Sequence, residues 1–248
     1  MDVLAGLNPA QKEAVQTIEG PVLIVAGPGS GKTRVIAHRV AYLITVCGIS
    51  PRRIMAVTFT NKAAREMKDR IYHLLGKSVE GLTLGTFHAT CARILRMEAQ
   101  HISLNKDFLI YDEGDQNSLL KQSIEHIGLD PKQYPPKAIG TAISAAKARL
   151  LAPQEYRQQV GSYYEEVVAR VYERYQELLA ENSALDFDDL IMKAVQLFRN
   201  KLEVLTKYQS RYLHVMIDEF QDTNLAQYIL SRQLAGKYKN ICVVGDPD

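Results

Sequence analysis

The sequence predicts an α/β fold, in which a parallel sheet is flanked by helices and interrupted by an all-helical insertion. Three observations support this prediction. First, the apolar run 22–26 leads through a glycine-rich loop directly into helical spacing. Second, two later apolar runs are each followed by a helical pattern, which is typical of parallel βαβ units. Third, no convincing strand pattern occurs from residue 112 to residue 210, and strand patterns resume at residue 215.

The first elements follow from local residue types. Residues 8–19 predict a short helix with Asn8 as its N-cap and Pro9 at its first position. The run from Val22 to Ala26 is rich in β-branched residues and is stopped by glycine, which predicts a buried strand. A helix follows at once, because four apolar side chains share one helical face: Ile36, Val40, Leu43 and Ile44.

Two further strand–helix pairs come next. Residues 53–59 predict a buried strand, and residues 61–75 predict a helix that carries several basic side chains. Residues 82–87 predict a third strand, which is followed by a helix to residue 101. Strands alternating with helices in this way build one parallel sheet.

The helical insertion is expected over residues 105–185, between two segments of one α/β domain, 1–104 and 186–248. Strand patterns resume after it at 215–217 and 241–244. Within the insertion, large apolar residues recur at four-three spacing, which predicts a long amphipathic helix: Tyr164, Val168, Val171, Tyr175 and Leu178. We interpret this stripe as core and not as a surface for stacking bases.

The glycine-rich loop matches a phosphate-binding P-loop, with Ala26 in place of its first glycine. The glycines let backbone N–H groups turn towards an anion, and the N-terminus of the following helix adds a partial positive charge. Lys32 is expected to reach the β- and γ-phosphates, and the Thr33 hydroxyl is expected on Mg²⁺. The sequence therefore predicts a nucleoside triphosphate site formed by these loop residues: Ala26, Gly27, Gly29, Ser30, Gly31, Lys32 and Thr33.

Two adjacent acids follow the strand at 215–217. Open α/β sheets bind ligands beyond the carboxyl ends of their strands, so Asp218 and Glu219 are expected beside the P-loop. Asp218 is expected to hold Mg²⁺, mostly through water, and Glu219 to orient and deprotonate the attacking water. Lys32, Asp218 and Glu219 are thus the predicted catalytic residues. The alternative for the two acids is a pair that caps a surface turn.

The base of the nucleotide is predicted to be adenine. Asn61 and Lys62 resemble the start of a guanine-reading motif, but Ala64 stands where that motif needs a carboxylate. The side chain of Gln11 offers a donor and an acceptor that could read the edge of adenine. The predicted cofactors are therefore ATP and Mg²⁺.

Composition and charge limit the partners. With 46% hydrophobic and 23% charged residues, the 248-residue chain has the composition of a globular protein. No stretch approaches about eighteen consecutive apolar residues, so no membrane partner is expected. The three separated cysteines suit buried thiols in a reducing cytoplasm. Residues 1–104 carry 13 Lys or Arg against 7 Asp or Glu, so a polyanion is expected chiefly on this segment.

Seven motifs, in order along the chain, resemble those of superfamily 1A DNA helicases of the UvrD/Rep/PcrA type: LNPAQ, AGPGSGKT, VTFTNKAAREM, GTFHATCARIL, LDFDDL, MIDEFQDT and VVGDPD. They cover residues 7 to 248. The resemblance implies a RecA-like P-loop NTPase motor domain and ATP-driven 3′-to-5′ movement on single-stranded DNA, in repair or replication. It also implies duplex/single-strand junctions and protein loading factors as partners.

The resemblance further implies roles for individual residues. Gln11 matches an adenine-reading glutamine, and Arg34 matches an arginine near the nucleotide. Gln221 resembles a residue that links hydrolysis to DNA, and we count it with the nucleotide-binding set. Seven residues match positions on or near single-stranded DNA: Thr58, Phe59, Thr60, Asn61, Thr86, His88 and Phe187. The alternatives are a hydrophobic plug at the strand end for Phe59 and a hydrogen bond at the helix start for His88.

Two acids near the end of the insertion have a structural interpretation. Asp186 and Asp189 are expected to be the N-cap and a first-turn charge of the helix that begins at Phe187. This interpretation is compatible with Phe187 facing DNA.

The sequence departs from the family's pattern after Gly245 and Asp246. In the family a γ-phosphate-sensing glutamine and a second motor domain follow there. We therefore expect a missing C-terminal motor domain and very slow hydrolysis, because the arginines it supplies are worth about 10³–10⁵ in rate. Two alternatives stay open: a non-catalytic nucleotide-sensing module that holds a partner through the insertion, and another P-loop enzyme such as a small-molecule kinase.

Overall fold

The computed structural model describes residues 2–27, 29–76, 79–102 and 104–247. Pro28 of the P-loop motif and Asp248 of the last motif lie outside the described residues. The chain divides into two compact units. An α/β unit contains Met1–Thr90, Phe198–Thr223 and Tyr228–Asp248, and a helical unit contains Cys91–Leu197 and Asn224–Gln227. The predicted insertion, 105–185, lies within the range of the helical unit, and its exact boundaries stay a prediction.

The described residues form strands and helices with these bounds. The strands are β1 Val22–Val25, β2 Ile54–Thr58, β3 Thr83–Thr86, β4 Leu109–Ile110, β5 Ala184–Leu185, β6 His214–Ile217 and β7 Ile241–Gly245. The α-helices are α1 Pro9–Gln16, α2 Lys32–Thr45, α3 Asn61–Leu75, α4 Phe87–Met97, α5 Glu113–His126, α6 Pro136–Ala148, α7 Pro153–Arg157, α8 Tyr163–Glu181, α9 Phe187–Asn200, α10 Leu202–Arg211 and α11 Leu225–Ala235. Short 3₁₀ turns occupy Pro51–Arg53, Ala99–His101 and Phe220–Asp222.

The α/β unit is built on a parallel five-stranded sheet with the order β1-β7-β6-β2-β3. Strands β2 and β6 are buried along their whole length. Thr58 of β2 lies beside Thr86 of β3, and Val57 lies beside Ile217 of β6. The carboxyl ends of these three strands therefore meet at one edge of the sheet. The predicted parallel α/β fold is confirmed.

The prediction that residues 22–26 form a buried strand was wrong, because one face of β1 is exposed. Leu23 and Val25 are 67% and 52% exposed, while Val22 and Ile24 pack against the core. In the described sheet β1 pairs with β7 and lies at the end of the strand order. A continuous apolar run therefore does not guarantee that both faces of a strand are covered.

The helical unit has its own core, in which α5, α6 and α8 pack together. Four of the five residues in the predicted stripe on α8 are buried there, but Tyr164 is 43% exposed. The expectation of an all-helical insertion was wrong in one detail, because Leu109–Ile110 and Ala184–Leu185 form a short parallel pair. Two-residue strands carry too little periodicity to be seen in a sequence. None of the helices in the described part of the chain is long and apolar enough to span a bilayer.

Candidate functional site

The P-loop connects β1 to α2 in the way that its glycines predict. Gly29 and Gly31 have φ angles of 75° and 86°, which lie in the left-handed region that favours glycine. Between them, Ser30 donates a backbone hydrogen bond to the carbonyl of Gly27 at 3.3 Å. Helix α2 begins at Lys32 with Gly31 as its N-cap, so its N-terminus lies on the loop, which is the arrangement that an anion site requires.

Lys32 is folded back over this loop. Its side chain is 8% exposed, and its ammonium donates to the carbonyls of Ala26 at 3.0 Å and of Gly27 at 3.3 Å. The same ammonium pairs with the carboxylate of Asp246, which follows β7. These acceptors place the charge of Lys32 at the mouth of the loop, where it can meet phosphate oxygens.

Thr33 and Asp218 bring the loop and the acid strand together. The Thr33 hydroxyl donates to Oδ2 of Asp218 at 2.8 Å, and Asp218 is only 1% exposed. Burial raises the pKa of Asp218, although the hydrogen bond from Thr33 opposes that change. The oxygens of a hydroxyl and of a neighbouring buried carboxylate are suitable ligands for Mg²⁺, either directly or through water. These two residues therefore fit the predicted metal position.

Glu219 adopts a backbone conformation that the sequence did not predict. Its φ and ψ are 52° and 46°, in the left-handed region, which is uncommon for a residue other than glycine. Such strain costs about 1 kcal/mol or more and is often found at functional sites. The conformation ends β6 abruptly and begins the 3₁₀ turn that carries Gln221.

Gln221 connects Glu219 to the loop after β7. Its Nε2 donates to Oε2 of Glu219 at 2.9 Å, and its Oε1 accepts from the backbone N–H of Asp246 at 3.0 Å. Gly245 permits this approach, because a Cβ there would lie 2.8 Å from Oε1 of Gln221. Since Asp246 also pairs with Lys32, a continuous polar path runs from Glu219 to Lys32.

Gln11 reaches the P-loop from α1. Its Nε2 donates to the carbonyl of Ser30 at 3.0 Å, and its Oε1 accepts from the backbone N–H of Asn8 at 3.1 Å. Asn8 in turn caps α1, as the sequence predicts. The amide keeps a second N–H and a second lone pair, which are the groups needed to read adenine.

Arg34 points to the N-terminal segment. Its guanidinium donates to the carbonyl of Gly6 at 3.2 Å and to Nε2 of His38 at 3.5 Å. These contacts tie α2 to the chain before α1. Its expected place near the nucleotide stays a prediction.

Phe59 and His88, both predicted to contact DNA, follow strands that end side by side. Thr58 and Thr86, the last residues of β2 and β3, are paired in the sheet, so Phe59 and His88 emerge at the same edge. Phe59 is half-buried, and its ring contacts the buried ring of Phe87 edge-on, with centroids 5.6 Å apart. Burial lowers the pKa of His88, which favours its neutral form.

The polar residues expected near DNA have local roles. Thr60 accepts from the N–H of Ala63, and Thr86 accepts from the N–H of Ala89, both at 3.1 Å, so these hydroxyls lie at the starts of α3 and α4. Asn61 is exposed, whereas Thr58 is buried and its hydroxyl has no hydrogen-bond partner among the described residues. Their DNA contacts stay predictions.

Phe187 belongs to the helical unit, where it begins α9 and is 44% exposed. Asp186 accepts from the N–H of Asp189 at 2.8 Å, which confirms the predicted N-cap. Sequence reasoning missed the partner of both acids. The fully buried ammonium of Lys147 lies 2.6 Å from Asp186 and 3.0 Å from Asp189.

Asp246 is the most important site residue that the sequence analysis did not select. A signal for it existed, because it follows a strand at the carboxyl edge of the sheet, as Asp218 does. No signal in the sequence indicated that its carboxylate meets Lys32, because the two residues are 214 positions apart.

Comparison with known proteins identifies the family of this chain. The profile of the UvrD/REP helicase N-terminal domain matches residues 7–248. Over 246 residues, the chain is 49% identical to the ATP-dependent DNA helicase PcrA of Bacillus subtilis (strain 168). It is 47% identical to the protein of the same name from Staphylococcus aureus (strain Mu50) and 46% identical to that from Staphylococcus epidermidis.

Each of these alignments covers 99% of this chain but only 33–34% of the relative. The chain therefore spans about a third of the length of the curated relatives it matches. The family profile, in contrast, covers nearly all of its residues. This chain belongs to the UvrD/REP helicase N-terminal domain family.

Proposed function

We propose that the complete protein is an ATP-dependent 3′-to-5′ DNA translocase and helicase, and that this chain supplies its phosphate loop and its catalytic acids. The observation that carries the proposal is the 2.8 Å hydrogen bond between Thr33 and Asp218. It joins the P-loop to the acid strand, as ATP hydrolysis requires. A surface turn capped by two acids has no reason to meet the loop, so the contact argues against that alternative.

The residues of the site have separate tasks in the proposed reaction. Thr33 and Asp218 would hold Mg²⁺, which neutralises charge on the phosphates when it is bound. Lys32 binds oxygens of the β- and γ-phosphates. Glu219 accepts a proton from the attacking water as its oxygen bonds to the γ-phosphorus. The bond to the bridging oxygen breaks, which yields ADP and phosphate.

Gln11 is proposed to select adenine with the second N–H and the second lone pair of its amide. Its existing bond to the carbonyl of Ser30 places that amide beside the loop. Ala64 supports adenine over guanine, because it provides no carboxylate for the guanine ring. ATP is therefore the proposed substrate.

Single-stranded DNA is proposed to run along the carboxyl edge of the sheet. Phe59 and His88 emerge there, and stacking of a base on such a group is worth about 1–3 kcal/mol. The path Glu219–Gln221–Asp246–Lys32 supports a role for Gln221 in linking hydrolysis to movement. Phe187 is proposed as a further stacking group. Junctions of duplex and single strand are the proposed substrates for unwinding.

The proposed setting of this activity is supported by the family resemblance and by the thiols. The resemblance supports a role in DNA repair or replication. The three free cysteines support a reducing cytoplasm: Cys47, Cys91 and Cys242.

Replacing Lys32 tests the site assignment. In the complete protein, Lys32→Ala should reduce DNA-stimulated ATP hydrolysis by roughly a thousandfold, because it removes the charge that meets the phosphates. Binding of single-stranded DNA, measured by fluorescence anisotropy, should change little. The matched control is Lys12→Ala, which changes an exposed lysine of α1 and should leave hydrolysis intact.

Two outcomes would contradict the proposal. Full hydrolysis by Lys32→Ala would refute the nucleotide site. Hydrolysis by the unaltered protein that single-stranded DNA does not stimulate would favour the sensing module or another P-loop enzyme.

A further inference from the structure

Cations are concentrated where the three central strands of the five-stranded sheet begin. Strands β2, β6 and β7 are preceded by residues 50–53, 207–213 and 236–240, which contain six Lys or Arg and no Asp or Glu. We call these six cations the basic edge: Arg52, Arg53, Lys207, Arg211, Lys237 and Lys239. Parallel strands place them at the edge opposite Asp218 and the P-loop.

Contacts among the three segments make the basic edge one surface. Arg53 donates to the phenol oxygen of Tyr238 at 3.1 Å, and its backbone carbonyl accepts from Leu213 at 2.8 Å. Lys237 donates to the hydroxyl of Ser210 at 2.8 Å. Four of the cations are exposed, and Arg53 and Arg211 are partly exposed.

Acidic residues limit the width of this surface. Glu19 precedes β1 and Glu80 precedes β3, the two outer strands of the described sheet, and both are exposed. Glu203 lies one helical turn before Lys207 on α10. Neighbouring strands are about 4.8 Å apart, so the three central strands span about 10 Å. The positive strip is therefore about as wide as one polypeptide segment or one helix, which is about 10–12 Å across.

The aromatic rings at this edge do not offer a stacking platform. Tyr208 and Tyr212 are 1% and 2% exposed. The ring of Tyr238 is approached by the cations of Arg53 and Lys237, 5.5 and 5.3 Å from its centroid. Binding of single-stranded nucleic acid depends on open aromatic faces as well as on charge. A duplex, whose major groove alone is about 12 Å wide, would bring phosphates against Glu19 or Glu80.

From this geometry we infer that the basic edge is a docking surface for an acidic segment of a protein partner. Carboxylates spaced along one segment match a strip of cations that is bounded by acids on both sides. Strands of about five residues separate this edge from the carboxyl edge by about 16 Å. The partner can therefore stay bound while the nucleotide site is occupied.

The test uses residues 1–248 and a fluorescein-labelled poly-glutamate peptide of about 20 residues, with binding followed by anisotropy. Lys207→Glu combined with Lys237→Glu should weaken binding about tenfold or more, because two attractions become repulsions. Raising NaCl from about 50 to about 500 mM should weaken binding by the unaltered chain to a similar extent. The matched control reverses two exposed lysines of the helical unit, Lys106→Glu and Lys132→Glu, and should bind like the unaltered chain.

Single-stranded and duplex DNA of about 20 nucleotides serve as competing probes. The proposal is overturned if the unaltered chain does not bind the peptide, or if both double variants bind it equally. It is also overturned if the unaltered chain binds DNA more tightly than the peptide and the Lys207/Lys237 variant loses its binding of DNA. The partner would then be nucleic acid. Circular dichroism checks that each variant is folded. If a double Lys→Glu variant is not folded, the double Lys→Gln variant at the same two positions is used in its place.

Discussion

The two units of the molecule each bury a lysine, and the two lysines have different partners. In the helical unit, the side chain of Lys147 is fully buried between the carboxylates of Asp186 and Asp189. In the α/β unit, Lys32 is held by two backbone carbonyls and by Asp246, whose side chain is 26% exposed. Both ammonium groups are almost hidden from solvent, yet only one of them lies on a P-loop.

The difference lies in how each charge is compensated. Burial alone lowers the pKa of Lys147, but the carboxylates of Asp189 and Asp186 outweigh it and raise that pKa above its ordinary value. Tyr175 completes this cluster by donating to Asp186 at 2.9 Å. Lys32 instead has acceptors that phosphate oxygens can replace. We therefore expect the nature of the partners, and not burial itself, to separate a structural lysine from a lysine that can bind phosphate.

Lys147→Met should have the largest effect on stability. The change leaves Asp186 and Asp189 buried without their cation, which should lower the free energy of unfolding by about 3–5 kcal/mol. Urea denaturation followed by circular dichroism measures this loss. Lys121→Met is the control in the same unit, because Lys121 is exposed and its partner Glu125 is also exposed. A loss below about 1 kcal/mol in Lys147→Met would show that the cluster does not depend on its cation.

His214 shows the opposite case to Lys147, because it is a buried base whose charged neighbours are cations. Burial, together with Arg39 and Arg53, lowers its pKa to about 4. The unfolded chain therefore binds a proton near pH 6.5, while the folded chain resists protonation until about pH 4. Stability contributed by neutral His214 is present above pH 6.5 and is lost as pH falls towards 4, by up to about 3 kcal/mol.

The pH dependence of urea denaturation measures this contribution. His214→Asn should flatten the decline of stability below about pH 6.5, since Asn does not titrate. His126→Asn, at an exposed position of the helical unit, should leave the decline unchanged. Equal slopes in the two variants would assign the acid sensitivity to other groups.

Lys32→Met should have the smallest effect on stability. Asp246 is partly exposed and can be solvated when its partner is removed, so the free energy of unfolding should change by less than about 1 kcal/mol. The same urea titration provides the value, with Lys12→Met as the control. A loss as large as that of Lys147→Met would mean that Lys32 is also a structural lysine.

Much of the fold was predictable because its signals are local. The helix at 61–75 and the caps at Asn8 and Asp186 depend on residues within one or two turns, and they were confirmed. The exposed face of β1 was not predictable, since an apolar run looks the same whether one or two faces are covered. The short strands β4 and β5 were not predicted, because two residues are too few to show a periodic pattern.

The candidate site divides in the same way. The loop residues could be predicted because phosphate chemistry fixes residue types at fixed spacings, and Asp218 and Glu219 could be predicted because they directly follow a strand. The left-handed backbone of Glu219, the pairing of Lys32 with Asp246 and the path through Gln221 were not identified. These features join residues that are far apart in the chain or depend on the shape of one turn.

By itself, the sequence determined the parallel α/β architecture, the P-loop and the order of the motifs, because periodicity and glycine conformation act over a few residues. Only the tertiary structure decided which charges face each other: Asp246 on Lys32, two acids on Lys147, and six cations at the edge opposite the P-loop. The physical reason is that electrostatic interactions depend on distance in space, and the order of strands in the sheet sets that distance independently of separation along the chain.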